Sequence, residues 1–129
     1  MAIERQTSGR VLVVEDTPDL REAMALLLRT EGHDVVVAEN GRAALEVIAQ
    51  GPRPDVALVD LLMPEMDGPS LVERLRGDPE LAAIRIVVVT AVASAHVQRL
   101  VRADAHVFKP FDSRELLEVV RGLIPEART

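Results

Sequence analysis

The stretch of sequence that decides the fold reads PDVALVDLLMPEMDG and covers residues 54–68. It contains four consecutive apolar residues, Val56 to Val59, which are followed directly by Asp60. A short apolar run between turn-forming residues is typical of a strand buried on both faces, as in parallel sheets. Pro64 and Gly68 interrupt regular structure beyond it, so Asp60 is predicted to open a loop where the strand ends.

Outward from this stretch, an apolar run followed by a helical pattern occurs five times. The predicted strands are Arg10 to Val14, Val35 to Ala38, Val56 to Asp60, Ile84 to Val89 and His106 to Phe108. The predicted helices run from Pro18 to just before Gly32, from Gly41 to near Gly51, from Ser70 to Arg76, from Ala93 to Ala103, and from Asp112 onward. This alternation predicts an α/β fold with a doubly wound, five-stranded parallel sheet and helices on both faces. The flavodoxin-like strand order 2-1-3-4-5 is the commonest arrangement, and its switch point lies between strands 1 and 3.

The first predicted helix has clear signals at its start and on its inner face. Thr17 is the predicted N-cap, and Pro18 suits the first helical position. The predicted inner face has helical spacing and consists of Leu20, Ala23, Met24, Leu27 and Leu28. Asp112 and Glu115 have the spacing of a capping box at the start of the last helix.

Composition restricts the class of protein. The chain has 129 residues, 48% of them hydrophobic, with two Phe and no Trp or Tyr, so one domain with an aliphatic core is expected. The net charge of −6 argues against general attraction to nucleic acid or to an anionic membrane. The absence of cysteine excludes disulfides and thiol chemistry. With neither a signal peptide nor a membrane-spanning run in the sequence, we expect a soluble, cytoplasmic protein.

Polar side chains follow four of the predicted strands at the points where these end. Glu15 and Asp16 follow strand 1, Asp60 ends strand 3, Thr90 follows strand 4 and Lys109 follows strand 5. The carboxyl ends of parallel strands meet at one edge of the sheet, so these side chains are expected to converge. Three carboxylates and one ammonium leave an excess of negative charge, and oxygen ligands favour Mg²⁺, with Mn²⁺ as an alternative. A carboxylate beside such a cation and a lysine suits phosphoryl transfer.

Taken singly, each of these residues has an ordinary structural interpretation. Acidic residues favour helix N-termini, and Thr90 and Lys109 alone read as a strand-end hydroxyl and a turn lysine. His33 and His96 have no potential metal-ligand partner at a useful spacing, and we interpret both as surface histidines. The prediction of a site therefore depends on the joint pattern.

Four segments of the chain resemble the receiver domain of two-component response regulators. They are Val11 to Asp16, Val59 to Gly68, Val89-Thr90-Ala91 and Lys109-Pro110-Phe111, in the family's order and at the expected strand ends. The resemblance covers residues 10–124. It implies a phosphorylation-dependent signalling switch, not an enzyme with a separate substrate, although such domains assist their own phosphorylation and dephosphorylation.

The resemblance implies a role for each residue of the site. Asp60 is the expected phosphoacceptor, with a histidine kinase or histidine phosphotransfer protein as donor. Thr90 contacts the phosphoryl group and moves on activation. Lys109 pairs with the phosphoryl oxygens, and its bond to Pro110 is expected to be cis.

The implied metal site uses oxygen ligands from three segments. Asp16 and Asp60 bind Mg²⁺ directly, Glu15 binds it mainly through water, and the backbone carbonyl of Leu62 completes the protein ligands. No other cofactor is expected.

The sequence departs from the family pattern at two positions, and two further positions concern hydrolysis. His106 stands at the switch position, where the family usually has Tyr or Phe, and Arg102 stands where a glycine is common. Leu62 and Val92, two residues beyond Asp60 and Thr90, are expected to influence attack by water on the acyl phosphate. Since neither can orient a water by hydrogen bonding, we expect slow self-dephosphorylation.

The expected organisation is a flexible tail over residues 1–9, a receiver domain over 10–124 and a C-terminal tail over 125–129. The fourth helix, fifth strand and last helix would form the face that signals to a downstream protein or to an effector domain removed from this chain. Direct binding of nucleic acid or membrane is not expected. Three alternatives are disfavoured. A flavin-binding flavodoxin-like protein would need to hold phosphate where Glu15 and Asp16 would repel it, and a haloacid-dehalogenase-type phosphatase would need an acid in place of Leu62. A pseudo-receiver that binds partners without phosphate would not need all five site residues, yet all five are present.

Overall fold

The computed structural model describes residues 8–61, 68–91 and 102–125, and these residues form an α/β fold. They contain five strands and four helices. The strands are β1 (Arg10–Val14), β2 (Asp34–Ala38), β3 (Val56–Asp60), β4 (Arg85–Thr90) and β5 (Ala105–Phe108). The helices are α1 (Pro18–Thr30), α2 (Gly41–Gln50), α3 (Gly68–Gly77) and α4 (Ser113–Leu123). None of these helices combines the length and apolarity needed to span a bilayer.

The five strands form one parallel sheet in the order β2-β1-β3-β4-β5, which confirms the predicted fold class and topology. Each face of the sheet carries its own apolar cluster. Residues of α2 and α3 pack on one face, and residues of α1 and α4 pack on the other. The central strand β3 is buried throughout, as its uninterrupted apolar run predicts.

Several local predictions differ from the structure. Helix α3 begins at Gly68 and not at Ser70. The prediction that Ala23 lies on the inner face of α1 is wrong, because Ala23 is exposed and the buried alanine is Ala25. Thr17 does occupy the N-cap position of α1, but its side chain makes no capping hydrogen bond. The helix predicted from Ala93 to Ala103 falls mainly on residues 92–101, outside the described ones.

An arginine at the end of α3 fixes the segment that leads into β5. Arg76 donates from Nε to the carbonyl of Arg102 at 2.9 Å and from Nη2 to Asp104 at 2.8 Å. The Asp104 carboxylate also accepts the backbone N–H of Ile86 at 2.7 Å. Burial opposes ionisation of Asp104, but these donors and Arg85 outweigh it, so the pKa of Asp104 lies below its ordinary value. The network ties α3, β4 and β5 together at the amino end of the sheet.

The prediction that His33 is a surface residue is wrong. Its relative exposure is only 6%, although it lies in the short connection between α1 and β2, where its backbone N–H donates to the carbonyl of Leu28. Its Nδ1 accepts the backbone N–H of Gly9 at 3.1 Å. Burial, together with the charge of Arg121, places the pKa of His33 below its ordinary value of 6.5. His96 lies outside the described residues.

This environment predicts a loss of stability in mild acid. The unfolded chain binds a proton on His33 near its ordinary pKa of 6.5, whereas the folded protein binds it only at lower pH. The contribution of neutral His33 is therefore complete above that value and is lost as the pH falls through the folded pKa. Urea unfolding between about pH 7.5 and 5.5 should show a smaller decline for His33→Gln, whose amide oxygen can still accept from Gly9. An equally steep decline in both proteins would contradict the assignment.

Candidate functional site

The register of the sheet brings the polar strand ends together. Val14 of β1 pairs with Val59 of β3. The residues that follow them, Glu15 and Asp60, are therefore neighbours at the carboxyl end of the sheet. On the other side of β3, Thr90 of β4 pairs with Phe108 of β5, and Lys109 follows directly. The predicted convergence on one edge therefore arises from strand pairing between segments far apart in sequence.

Lys109 joins the two buried carboxylates. Its Nζ lies 3.0 Å from Oε1 of Glu15 and 3.1 Å from Oδ2 of Asp60. The relative exposure of Glu15 is 1% and that of Asp60 is 6%. Although burial opposes the charge of the ammonium, its bonds to both carboxylates outweigh that effect and raise the pKa of Lys109. The bond between Lys109 and Pro110 is cis, as the resemblance implied.

Glu15 is held at both its side chain and its backbone. Its Oε2 accepts the backbone N–H of Thr17 at 3.2 Å, and its own N–H donates to the carbonyl of Ala38 at 3.1 Å. Burial raises the pKa of Glu15, and the negative charge of Asp60 adds to the increase, while the bonds from Lys109 and Thr17 oppose it. Glu15 is therefore a carboxylate whose ionised form depends on the cations around it.

The acidic residues have a geometry that suits a hard cation. Glu15, Asp16 and Asp60 each offer one carboxylate oxygen, and these oxygens lie within 4.8 Å of one another. Glu15 and Asp60 are buried and Asp16 is half-buried, so the group has a closed inner side and an accessible outer side. An all-oxygen donor set of this kind fits Mg²⁺ or Mn²⁺.

Of the remaining predicted site residues, the structure describes Thr90 and His106. Thr90 is buried at the end of β4, and its carbonyl accepts the backbone N–H of Lys109 at 2.8 Å. His106 is half-buried on β5, with its ring stacked near Phe108 at a centroid distance of 6.4 Å. Its Nε2 is buried without a hydrogen-bond partner among the residues that the structure describes. Leu62 and Val92 lie outside those residues.

Arg21 is a contributor to the site that sequence reasoning missed. From the second turn of α1, its Nη1 donates to the backbone carbonyl of Glu15 at 2.9 Å. The bond fixes the backbone from which Glu15 and Asp16 project. A signal was present in the sequence, because an arginine six residues after Glu15 lies one helical turn beyond Thr17 and can reach back past the helix start.

The structure also has an open groove, but Glu15, Asp16 and Asp60 do not line it. Its volume is about 1060 Å³, and none of the five predicted strand-end residues lines it. The lining residues come from α2, α3, the following turn and the segment before β5: Leu45, Ser70, Glu73, Arg74, Gly77, Asp78, Pro79, Leu81 and Arg102. The groove is therefore separate from the group formed by Glu15, Asp16 and Asp60.

Residues 11–121 match the family described as the response regulator receiver domain. The match covers most of the sequence, and the chain belongs to this family. Receiver domains act in two-component signalling as phosphoacceptor regulators, and they work with histidine kinases.

Individual relatives agree with the family. The DNA-binding response regulator MtrA of Mycolicibacterium smegmatis is 36% identical over 113 residues, which are 88% of this chain and 49% of that protein. The chain thus spans about half the length of that relative.

Solved structures also include close neighbours of this fold. The receiver domain of a signal transduction histidine kinase from Syntrophus aciditrophicus has a TM-score of 0.83 and 32% identity, covering 95% of this chain and 98% of that one. The receiver domain of a sensor histidine kinase from Pseudomonas aeruginosa has a TM-score of 0.82 and 25% identity, with coverages of 91% and 98%. A magnesium ion is coordinated in the active-site cleft of the latter.

Proposed function

We propose that Asp60 accepts a phosphoryl group from a histidine kinase or a histidine phosphotransfer protein. The observation that carries this proposal is the group formed by three carboxylates within 4.8 Å of one another and Lys109, 3.1 Å from Asp60. We also propose that the reaction takes place in the cytoplasm.

The transfer needs a nucleophile and positive charge. A carboxylate oxygen of Asp60 attacks phosphorus, a new P–O bond forms, and the bond to the donor breaks with its electron pair left on the donor nitrogen or oxygen. Lys109 already lies against Asp60, so its ammonium can follow the charge onto the phosphoryl oxygens. The hydroxyl of Thr90 is the proposed hydrogen-bond donor from the neighbouring strand.

The proposed metal ligands are Asp16 and Asp60 directly, Glu15 through water, and the carbonyl of Leu62. Mg²⁺, when bound there, would supply charge that lowers repulsion between Asp60 and the incoming phosphoryl group. The carboxylate spacing supports this assignment, and the receiver domain from Pseudomonas aeruginosa holds magnesium in its cleft. Mn²⁺ would fit the same donors.

Phosphorylation is the proposed trigger of a change at the β5 side of the sheet. A shift of a two-state equilibrium from about 1:99 to about 99:1 needs roughly 5.5 kcal/mol. New charge-assisted hydrogen bonds from Thr90 and Lys109, at roughly 1.5 to 3 kcal/mol each, are of the right size. His106 would be the switch residue, and the surface formed by residues 93–103, β5 and α4 would contact the downstream partner.

The test of this proposal is intact-protein mass spectrometry after incubation with acetyl phosphate and Mg²⁺. We expect the mass of a single phosphoryl group to be added, and we expect the gain to disappear when a chelator removes the metal. A protein that folds but gains no phosphoryl group would instead support a pseudo-receiver. A gain that is independent of metal would contradict the proposed metal site formed by Glu15, Asp16 and Asp60.

A further inference from the structure

Gly68, the first residue of α3, touches the backbone of the proposed phosphoacceptor. A Cβ atom at this position would lie 2.4 Å from the carbonyl oxygen of Asp60 and 2.6 Å from Cα of Leu61. Both of these atoms belong to the backbone, so neither can turn aside as a flexible side chain would. The N–H of Gly68 also donates to the carbonyl of Leu61 at 3.2 Å.

The contact means that α3 and the end of β3 meet at a separation only glycine allows. With a Cβ present, the distance to the Asp60 oxygen must grow from 2.4 Å to at least 3.0 Å. Helix α3 is held by Leu71, Val72 and Leu75 in the core, so the helix cannot withdraw without opening that packing. The strand end that carries Asp60 must then take part of the displacement.

We infer that Gly68 is a positioning residue for phosphoryl transfer, because its missing side chain sets where Asp60 stands relative to Lys109 and the acidic pair. The inference rests on the proposed function. Asp60 lies 3.1 Å from Lys109 and within 4.8 Å of the other carboxylates, and a reacting group held this closely loses rate when it is moved. The role proposed for Gly68 rests on this close backbone contact with Asp60 and Leu61.

Helix α3 supplies its own control. Gly77 ends the same helix, and a Cβ atom there would meet nothing within 4 Å. We would compare wild type, Gly68→Ala and Gly77→Ala for folding by far-ultraviolet circular dichroism without metal. Labelling by acetyl phosphate at saturating Mg²⁺ and Mn²⁺ affinity by electron paramagnetic resonance would then be measured on the folded fraction.

We expect Gly68→Ala to fold and yet to label about tenfold to 100-fold more slowly, with Mn²⁺ affinity about tenfold weaker. Gly77→Ala should match wild type in both measurements. Equal labelling and equal affinity in all three proteins would overturn the inference while leaving the proposed function intact. A Gly68→Ala chain that is unfolded would also overturn it, since Gly68 would then be a requirement of folding. If wild type is never labelled, the proposed function is wrong. The comparison of Mn²⁺ affinities would still show whether Gly68 positions Asp60 relative to the other carboxylates.

Discussion

Replacing Asp60 with asparagine should abolish the gain of a phosphoryl group and leave the fold in place. The amide has the size of the carboxylate but lacks the negatively charged oxygen that attacks phosphorus. Its carbonyl oxygen can still accept a hydrogen bond from Lys109. In metal-free buffer the variant should be at least as stable as wild type. Asp60 lies close to two like charges, Glu15 and Asp16, so removing its own charge relieves repulsion even though it weakens the pair with Lys109. Mass spectrometry and urea unfolding, followed by circular dichroism because the chain has no Trp or Tyr, measure the two effects.

The matched control is an aspartate at the other end of the same strand. Asp55 precedes β3, and its Oδ2 accepts the backbone N–H of Arg10 at 2.9 Å, a bond that asparagine can keep. Asp55→Asn should therefore be phosphorylated like wild type. If Asp60→Asn gained a phosphoryl group at the wild-type rate, another acid would have to be the acceptor.

The sheet was predictable because its signal is local. Each strand is a short apolar run, and the predicted bounds agree with the structure to within one residue. The errors arise where a residue's surroundings come from distant segments. His33 looks like a polar residue after a helix-ending glycine, yet the N–H of Gly9, 24 residues away, meets it in the interior. Gly68 resembles a break, yet it is the first residue of α3, and the backbone of Asp60 leaves no room there for a side chain.

The location of the site residues at the edge of the sheet was predictable, but their hydrogen-bond partners were not. Period-two strands and parallel pairing are enough to place Glu15, Asp60 and Lys109 at one edge. Which carboxylate the ammonium contacts depends on register and rotamer, and in the structure it contacts both. The spacing of Arg21 from Glu15 allows their contact, but that spacing alone does not determine whether the guanidinium turns toward the Glu15 carbonyl.

Replacing Lys109 with methionine should slow labelling but strengthen Mg²⁺ binding. A general loss of structure would instead weaken both. Labelling should slow by about 100-fold to 1000-fold, because one preorganised positive donor to the transferred group is lost. Affinity for Mg²⁺ should instead rise by about tenfold, since the competing ammonium no longer neutralises Glu15 and Asp60. Without metal, the two carboxylates lose their shared partner, and the free energy of unfolding should fall by about 2 kcal/mol.

Urea unfolding with and without Mg²⁺ tests this sign directly. Because binding to the folded state stabilises it by mass action, the metal should increase stability more in Lys109→Met than in wild type. Lys109→Arg is the control: it keeps the charge and so the metal-free stability, but its planar guanidinium should not restore the labelling rate. Lys109 is also the only lysine in the sequence, so no other lysine ammonium can take its place in Lys109→Met. Weaker Mg²⁺ binding in Lys109→Met than in wild type would contradict an ammonium that competes with the metal.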